Sequence, residues 1–552
     1  MRESAIHPII YVRGYAMTQS EIEDTVADPY MGFNIGSSKV RQLWDGSVKK
    51  YFFESPLVRL LKRFSYDDVF EEGYDRVSDL SAPMTVDGTV PPVPYRSIVI
   101  YRYYEPSSED LGTGLPPDMD RFAKGLSDLI LTLQKRIYPD GANTIITQDE
   151  RAAGKLPYEK FRVYLVAHSM GGLVCRAFLQ NPKYRPDGAP ALVDKLFTYA
   201  TPHNGIDIGL LGNVPSWATL YGLRTFNRDE IARLLGLSEQ DRDGGNVDLI
   251  TNFDCNRVFN LVGTNPGDYK AAAGLSSLAV GDASDGLVRI RNSTTRARNT
   301  NGGGFTYSPH AFVHRSHSGF FGIVNSEEGY QNLIRFLFGD VRADGVLQID
   351  QLTLPPAVQE QLDKKRKVKA SYMFEVAVSV RGKPWQLHRR TATENSAIFR
   401  QFDELFPAPA APGIARTPNL AASPVLFNVF LDLSQSQTGT SVAFALDLCV
   451  RVPGYEVDGL LFLKDHFEGG YLFRDTVMLE ATLPANPNGQ WIFEYWFANQ
   501  HDRKREKATI VEEEGALTFE LPIEQPNPPG IKARLRVRTS YWNQWHDAPT
   551  AN

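Results

Sequence analysis

Residues 161–172 read FRVYLVAHSMGG, and this stretch decides the fold more than any other part of the 552-residue chain. The β-branched and aromatic run before the serine predicts a strand, and the run LVCRAF after the glycines has helical spacing. Ser169 stands between them, with Ala167 two positions before it and Gly171 two positions after it. A serine between a strand and a helix, flanked by small residues, is typical of a nucleophile elbow, whose strained turn exposes the serine oxygen. The alternative is an ordinary serine in a strand–helix turn.

An elbow serine needs an acid and a histidine, which follow it in that order along the chain. The acid fixes the tautomer of the histidine and stabilises the imidazolium that forms. A buried strand is predicted over 258–263, and the run GDASDGLV follows at 281–288. We assign Asp285, because Gly286 frees the turn and two apolar residues can anchor it. Asp282 is the runner-up, and a solvated loop position for both acids is the alternative.

The histidine is expected in the segment HAFVHRSHSGF at 310–320, on a loop in front of a predicted helix. We assign His317, which lies nearest to that helix; His314 is the competitor and His310 the third candidate. Three neighbouring histidines also raise the question of a metal site. Since no second Cys or His cluster has ligand spacing, we expect neither a metal nor a cofactor.

Two backbone N–H groups are expected to hold the oxyanion. Met170, the residue after the nucleophile, supplies one of them. The other is expected in the loop RGYA at 13–16, after a predicted strand at 8–12, and by position we assign it to Tyr15. A donor of this kind typically lowers the barrier by about 3–4 kcal/mol.

These motifs resemble those of the α/β-hydrolase serine lipases and esterases. Within that class they are similar to the lecithin–cholesterol acyltransferase and GPI-inositol-deacylase-like lipases and to the small Bacillus lipases. The elbow AHSMGG at 167–172 looks like that of all three groups. The run TPHNG at 201–205 resembles a Thr-Pro-His-x-Gly loop of the first two, and SDGLV at 284–288 resembles their aspartate loop.

The resemblance covers roughly residues 5–340. It implies a triad of Ser169, Asp285 and His317, with the N–H groups of Tyr15 and Met170 as oxyanion donors. His168 and His203 are then structural rather than catalytic. The chain departs from the pattern in two places: Arg13 replaces the usual histidine, and a long insertion follows the first strand.

Composition limits the class of protein. The chain is too long for a single core, so two or more domains are expected. A hydrophobic content of 42% and a charged content of 22% are those of a folded soluble protein. The net charge of −6 and the lack of a basic stripe argue against nucleic-acid binding. Three widely separated cysteines do not form a disulfide framework, which fits a reducing compartment.

The chain shows no apolar signal region and no transmembrane stretch, so we expect a cytoplasmic protein, with signal-independent export as the alternative. Predicted strands alternate with helices through the first part of the chain. This alternation predicts a mostly parallel sheet with helices on both faces, and an α/β-hydrolase domain over residues 1–340. Segments at about 17–94 and 206–250 do not fit the minimal fold and are expected to be cap or lid insertions. The strands are predicted at 8–12, 97–103, 161–167, 194–200 and 258–263, and the helices at 119–138, 171–180, 228–236 and 328–338.

The character of the sequence changes after residue 340. A linker is expected over 341–370, followed by a β-rich, sandwich-like domain over 371–552 whose role stays open. Its aromatic residues have two interpretations, a binding surface for lipid, polymer or carbohydrate, or ordinary core and edge packing. They are Trp491, Tyr495, Trp496, Trp542 and Trp545.

The sequence therefore predicts a serine hydrolase that cleaves carboxylic esters through an acyl-enzyme on Ser169. Its expected substrates are lipid or acyl esters, with peripheral contact to lipid aggregates. A phospholipase or acyltransferase with the same triad is the first alternative, and a peptidase is another. A non-catalytic binding or scaffold protein on a hydrolase fold is the third.

Overall fold

The structure is a computed structural model, and contacts divide the chain into two units. The first contains residues 1–310 and 314–337, and the second contains residues 311–313 and 338–552. The structure describes residues 6–14, 30–43, 45–71, 74–77, 93–103, 118–184, 188–206, 227–266, 283–299, 303–319, 322–409, 415–435, 441–458, 464–482, 491–500, 504–513 and 515–543.

The strands up to residue 313 form one large sheet and three two-stranded ribbons. They are Ile9–Val12 (β1), Ser37–Gln42 (β2), Val48–Phe53 (β3), Asp67–Asp68 (β4), Phe70–Glu71 (β5), Tyr74–Asp75 (β6), Ser97–Tyr101 (β7), Val163–His168 (β8), Val193–Tyr199 (β9), Val258–Gly263 (β10), Arg296–Arg298 (β11), Phe305–Tyr307 (β12) and His310–Val313 (β13).

The large sheet has the strand order β13-β10-β9-β8-β1-β7-β4. Strand β1 runs parallel to β7 and β8, and the same parallel pairing joins β8 to β9, β9 to β10 and β4 to β7. Every residue of β1, β8 and β10 is buried, as expected for parallel strands covered on both faces. The predicted α/β-hydrolase class of this part of the chain is confirmed.

Helices cover this sheet. The second helix has its apolar residues on one face, where Phe122, Leu126 and Leu133 are buried, and Asp118 caps its first turn. No described helix is long and apolar enough to span a membrane. The helices of this unit are Pro56–Phe64 (α1), Met119–Ile137 (α2), Gln148–Ala152 (α3), Met170–Gln180 (α4), Arg228–Leu235 (α5) and, ending one residue beyond the unit, Glu327–Phe338 (α6).

The segments predicted as cap or lid insertions are described only in part. Within 17–94, β2 and β3 form a hairpin, α1 follows, and β4 extends the edge of the large sheet beside β7. Residues 207–226 lie outside the described residues. After them, α5 packs on α4, with Ile231 and Leu235 fully buried. Helices α1 and α5 and strand β4 thus belong to the packed body of the first unit, whereas the hairpin of β2 and β3 is largely exposed.

The described residues of the second unit from Val341 onward form two antiparallel sheets. One has the order β18-β14-β25-β24-β23, and the other has the order β16-β15-β19-β20-β21-β22, with β17 also paired to β15. Phe427 packs edge-on against Phe444 across the sheets, with ring centroids 6.3 Å apart. The predicted sandwich-like class is confirmed. The elements are Val341–Thr353 (β14), Pro356–Asp363 (α7), Val368–Val380 (β15), Gln386–Arg390 (β16), Ile398–Gln401 (β17), Phe402–Leu405 (α8), Val425–Leu431 (β18), Ser441–Asp458 (β19), Lys464–Thr482 (β20), Ile492–Phe497 (β21), Glu506–Lys507 (β22), Thr509–Glu513 (β23), Ala516–Gln525 (β24) and Gly530–Tyr541 (β25).

Residues 341–370 differ from the linker that the sequence predicts. They form β14, α7 and the start of β15, and β14 pairs with both β18 and β25. Alternate residues of β14 are buried, including Ala343, Leu347 and Ile349. The alternation is weak in the sequence because Ala343 and Gly345 occupy two of the inward positions.

Candidate active site

Ser169 lies in a strained turn between β8 and α4. Its backbone has φ 53° and ψ −127°, a conformation that residues other than glycine rarely adopt and that occurs preferentially at functional sites. A side chain at Gly171 would clash with the carbonyl oxygen of Val12. A Cβ atom at Gly14 would lie 2.6 Å from the Cβ of Ser169. Close approach of β1 and its loop therefore requires small residues at these positions, as the elbow motif indicates.

The three residues assigned from sequence as serine, histidine and acid form one chain of hydrogen bonds. The Oγ of Ser169 lies 2.9 Å from Nε2 of His317. The Nδ1 of His317 lies 2.9 Å from Oδ2 of Asp285. Ser169 is 8% exposed, His317 3% and Asp285 1%, so solvent reaches only the serine end appreciably. With Nδ1–H donating to the carboxylate, Nε2 is left to accept the proton of the serine hydroxyl.

The turn that carries Asp285 holds one of its carboxylate oxygens and leaves the other for His317. Oδ1 accepts hydrogen bonds from the N–H groups of Leu287, at 3.0 Å, and Val288, at 2.8 Å. Gly286 has φ 101°, a conformation that glycine adopts readily, and this is the property on which the assignment of Asp285 from sequence depends. The N–H of His317 donates to the carbonyl of Asp285 at 2.9 Å. Backbone and side chain therefore both hold the histidine to this turn.

The alternative residues lie elsewhere or outside the described part of the chain. His314 is exposed, and its Nδ1 lies 3.4 Å from the Thr264 hydroxyl. The Nδ1 of His310 lies 2.9 Å from the carbonyl of Ser308. Asp282 is outside the described residues. Among the described residues, no group of His, Cys, Asp or Glu could hold a metal ion.

Of the two assigned oxyanion donors, the structure describes one. Met170 begins α4, so its N–H has no carbonyl partner within the helix. The N–H of Ser169 instead donates to the carbonyl of Tyr199 at 2.9 Å. Tyr15 lies outside the described residues, but Gly14, directly before it, lies against Ser169 and Met170.

Arg13, which replaces the histidine of many lipases, anchors the same loop. Its guanidinium donates to the carbonyl of Met31, and its own carbonyl accepts the Tyr103 hydroxyl at 2.6 Å. Arg13 thus links this loop by a hydrogen bond to the insertion that follows it.

His168 contacts the site more closely than its structural assignment implies. Its Nε2 lies 3.0 Å from the carbonyl of His317, and the two ring centroids are 5.0 Å apart. Burial, together with the neighbouring His317 and the Arg13 cation, holds the pKa of His168 well below its usual value. The ring is therefore neutral, and because a carbonyl only accepts, Nε2–H is the donor.

Arg176 supports a loop of the candidate site, and its role is not predicted from the sequence. It is fully buried in α4 and donates to the carbonyls of His203, at 2.8 Å, and of Val247 and Leu249, both at 3.0 Å. Burial lowers its pKa to about 10, so it stays charged at neutral pH. The role of Arg176 is to hold the loop at 201–205. In the sequence, the signal for such a role is an arginine inside the apolar run LVCRAF.

The helix behind His317 is fixed by buried charges. Glu328 of α6 accepts from Arg315, at 2.8 Å, and from Lys39 of β2, at 2.6 Å. Burial alone would raise the pKa of Glu328, but these two cations hold it below its usual value. The loop that carries His317 is thereby tied to α6 two residues before the histidine.

Comparison with known proteins agrees with this architecture. Residues 129–210, which include the elbow and the loop at 201–205, match the family described as the PGAP1-like alpha/beta domain. No match to a curated protein was found.

Among solved structures, the chain is similar to Bacillus licheniformis lipase BlEst2 in its propeptide form. The identity is 12%, the match covers 91% of this chain and 96% of that one, and the TM-score is 0.28. It is also similar to phospholipase PlaB from Legionella pneumophila, at 13% identity over 80% of this chain and 85% of that one, with a TM-score of 0.31. Over residues 129–210, the chain is thus similar to the PGAP1-like alpha/beta domain.

Proposed function

We propose that this protein is a serine hydrolase that cleaves carboxylic esters, with lipid or acyl esters as substrates. The observation that carries the proposal is the continuous hydrogen-bond chain from Ser169 through His317 to Asp285. It lies at the carboxyl end of β8, where open parallel sheets place their active sites.

In the first half of the reaction, the Oγ of Ser169 attacks the carbonyl carbon of the ester. His317 takes the serine proton at Nε2, and Asp285 stabilises the resulting imidazolium. The N–H groups of Met170 and Tyr15 hold the oxyanion of the tetrahedral intermediate. When the intermediate collapses, the bond to the alkoxy oxygen breaks, and the alcohol leaves with the proton from His317.

In the second half, water replaces the alcohol. His317 removes a proton from the water as it attacks the acyl-enzyme, and the proton then returns to Ser169 as the free acid leaves. The buried ring of His168 donates to the carbonyl of His317 throughout and keeps the base in position. The chemistry needs no cofactor.

The preference for lipid or acyl esters is supported by sequence. The elbow and the loop at 201–205 resemble those of lipases that act on acyl lipids, and residues 206–226 carry apolar side chains directly after that loop. An apolar segment that lines an active site binds an acyl chain better than a small polar acyl group.

Hydrolysis of p-nitrophenyl esters from acetate to palmitate tests the proposal, with wild type and Ser169→Ala compared side by side. Ser127→Ala is the matched control, because Ser127 is a fully buried serine of α2 whose hydroxyl makes no hydrogen bond. We expect activity in wild type and Ser127→Ala, rising with chain length, and a loss of at least 10³-fold in Ser169→Ala. Equal activity in all three proteins, or none in folded wild type, would refute the proposal.

A further inference from the structure

The second unit contains an apolar cavity that the proposed reaction does not use. It lies between the two sheets of the sandwich and has a volume of about 380 Å³. One wall comes from β14, β18, β24 and β25, and the other from β19, β20 and β21. The apolar side chains along it are Val341, Ala343, Leu431, Leu433, Val442, Phe444, Leu479, Ala481, Trp491, Phe493, Leu517, Phe519 and Val537.

Strand register places these side chains on the facing surfaces of the two sheets. In one sheet Phe444 pairs with Leu479 and Val442 with Ala481, so alternate residues of β19 and β20 point the same way. In the other, Phe519 pairs with Val537 in the same manner. The lining is not wholly apolar, since it also includes Glu480, which binds Arg505 at 3.1 Å, and Glu494. The cavity is thus the site where two mainly apolar faces meet without filling the space between them.

Two aromatic pairs join the two sheets beside the cavity. Phe444 meets Phe427 across the sheets, and Phe493 stacks on Phe519 with ring centroids 3.3 Å apart. One end of the cavity reaches solvent beside Tyr541, which is 59% exposed and lines it. A ligand can therefore enter from one end and would be enclosed by aromatic rings further in.

The volume sets the size of the apolar ligand that the cavity can hold. Apolar cavities of about 150 Å³ stay dry and bind one benzene molecule, six carbons, so 380 Å³ corresponds to roughly fifteen carbons. Ligand pockets in proteins begin at about 300 Å³ and are lined mostly by apolar and aromatic side chains. Leaving so much apolar surface without a partner costs stability, which an alkyl chain would restore.

The negative charge at the open end of the cavity favours a ligand with an uncharged polar head group. Glu512 of β23 pairs with Leu517, lines the cavity there and is exposed. Glu513, the next residue, binds Arg538 at 3.1 Å on the opposite face of the sheet, so Glu512 is the carboxylate that faces the opening. A second carboxylate, from a free fatty acid, would be repelled, whereas an uncharged head could reach solvent beside Tyr541.

We propose that the cavity between the two sheets binds a single long alkyl or acyl chain with an uncharged polar head, as in a fatty alcohol or a monoacylglycerol. The site belongs to the second unit alone and does not depend on the proposed ester hydrolysis.

Displacement of the uncharged fluorescent probe N-phenyl-1-naphthylamine tests this site in the full chain. Straight-chain alcohols of 8 to 18 carbons and palmitate serve as competitors, and all proteins carry Ser169→Ala so that no turnover interferes. We expect the tightest binding near 14 to 16 carbons, and at least 10-fold weaker competition by palmitate than by hexadecanol at neutral pH.

Two tryptophan substitutions locate the binding. Ala481→Trp adds a large side chain inside the cavity, whereas Ala443→Trp makes the same change on the outward face of the adjacent strand. We expect Ala481→Trp to weaken probe binding at least 10-fold, and Ala443→Trp to change it less than 2-fold. Ala481→Leu should move the preferred chain length down by a few carbons. Equal affinity in the two tryptophan variants would overturn the proposal, because the probe would then bind elsewhere.

Thermal unfolding separates an empty cavity from one already filled by protein. We expect Ala481→Trp to keep or raise Tm, since it fills space. A large fall in Tm for Ala481→Trp but not for Ala443→Trp would mean that another segment or a second copy occupies the cavity, which also overturns the proposal. Leu479→Gln, which places a polar group in the wall at similar volume, is measured alongside it. Undiminished probe binding by Leu479→Gln would contradict the proposal.

Discussion

His168 donates a hydrogen bond from its Nε2 to the carbonyl of His317 across 3.0 Å, so the residue before the candidate nucleophile holds the candidate base in place. The ring is fully enclosed and neutral, because burial holds its pKa well below the usual value. Its role in the proposed reaction is to position His317 rather than to move a proton.

Replacing His168 with phenylalanine should therefore slow the reaction without greatly changing substrate binding. A hydrogen bond of this kind contributes about 1 kcal/mol, so we expect kcat to fall about 5- to 10-fold with little change in KM. Steady-state kinetics on a p-nitrophenyl ester measures both. His7→Gln is the matched control, because His7 is another buried neutral histidine and lies before the amino end of β1, away from the site. A similar fall in kcat for His7→Gln would indicate a general loss of structure and contradict the positioning role.

Asp285→Asn should leave the turn intact and remove most of the activity. The amide oxygen can still accept from Leu287 and Val288, but the side chain no longer stabilises the imidazolium or enforces the tautomer of His317. We expect kcat to fall by about 10⁴-fold with the fold retained by circular dichroism.

The control for this substitution is Asp194→Asn, which changes a half-buried acid at the amino end of β9. Burial opposes the charge of Asp194, but Lys195 and Arg257 lower its pKa to about 2, so the substitution removes a structural ion pair. It should lower Tm while kcat stays within about 3-fold. If Asp285→Asn were as active as Asp194→Asn, the acid of the proposed triad would be misassigned.

The two small residues of the elbow should respond differently to substitution. Ala167→Gly converts the motif to the commoner G-x-S-x-G pattern, and we expect a stability loss of about 1 kcal/mol with activity within 3-fold of wild type. Gly171→Ala introduces a clash with the carbonyl oxygen of Val12, which backbone movement alone can relieve. It should lower both Tm and activity strongly. Full activity in Gly171→Ala would show that the turn does not need the close approach of β1.

Stability should fall as the pH is lowered from about 6.5 to 4. Burial lowers the pKa of His7 to about 4, and it holds those of His168 and His203 well below 6.5. In this window the unfolded chain binds protons at these histidines and the native protein does not, so unfolding becomes more favourable as pH falls. For His7 the effect is at most about 3 kcal/mol at pH 4 and vanishes above pH 6.5.

Urea unfolding at several pH values, read by circular dichroism at 222 nm, measures this dependence. Wild type should lose stability across the window, and His7→Gln should show a shallower slope because one of the titrating groups is gone. A wild-type stability that is constant between pH 6.5 and 4.5 would be incompatible with buried neutral histidines.

Most helices and strands of the first unit can be predicted from local sequence patterns. The strand before Ser169 and the helix after it follow from apolar periodicity, and the positive φ of the serine follows from the small residues around it. Asp285 and His317 were selected by turn chemistry and distance along the chain, and the structure brings them together with Ser169.

Local sequence patterns do not predict contacts between residues that are distant in the sequence. The hydrogen bond from His168 to His317 spans 149 positions, and Arg176 reaches carbonyls more than 70 positions away. Neither partner was visible from spacing. Strand β14 could not be predicted for another reason. Its inward residues are small, so the sequence shows no clear apolar alternation, and the strand is recognised only from its pairing with β25.

The most direct test of the central claim is covalent labelling of the folded protein with a long-chain alkyl fluorophosphonate, followed by intact-mass measurement and peptide mapping. The account predicts one adduct per chain, on Ser169, with a labelling rate at least 10³-fold lower in His317→Ala. An adduct on another residue, or equal labelling of wild type and Ser169→Ala, would contradict it.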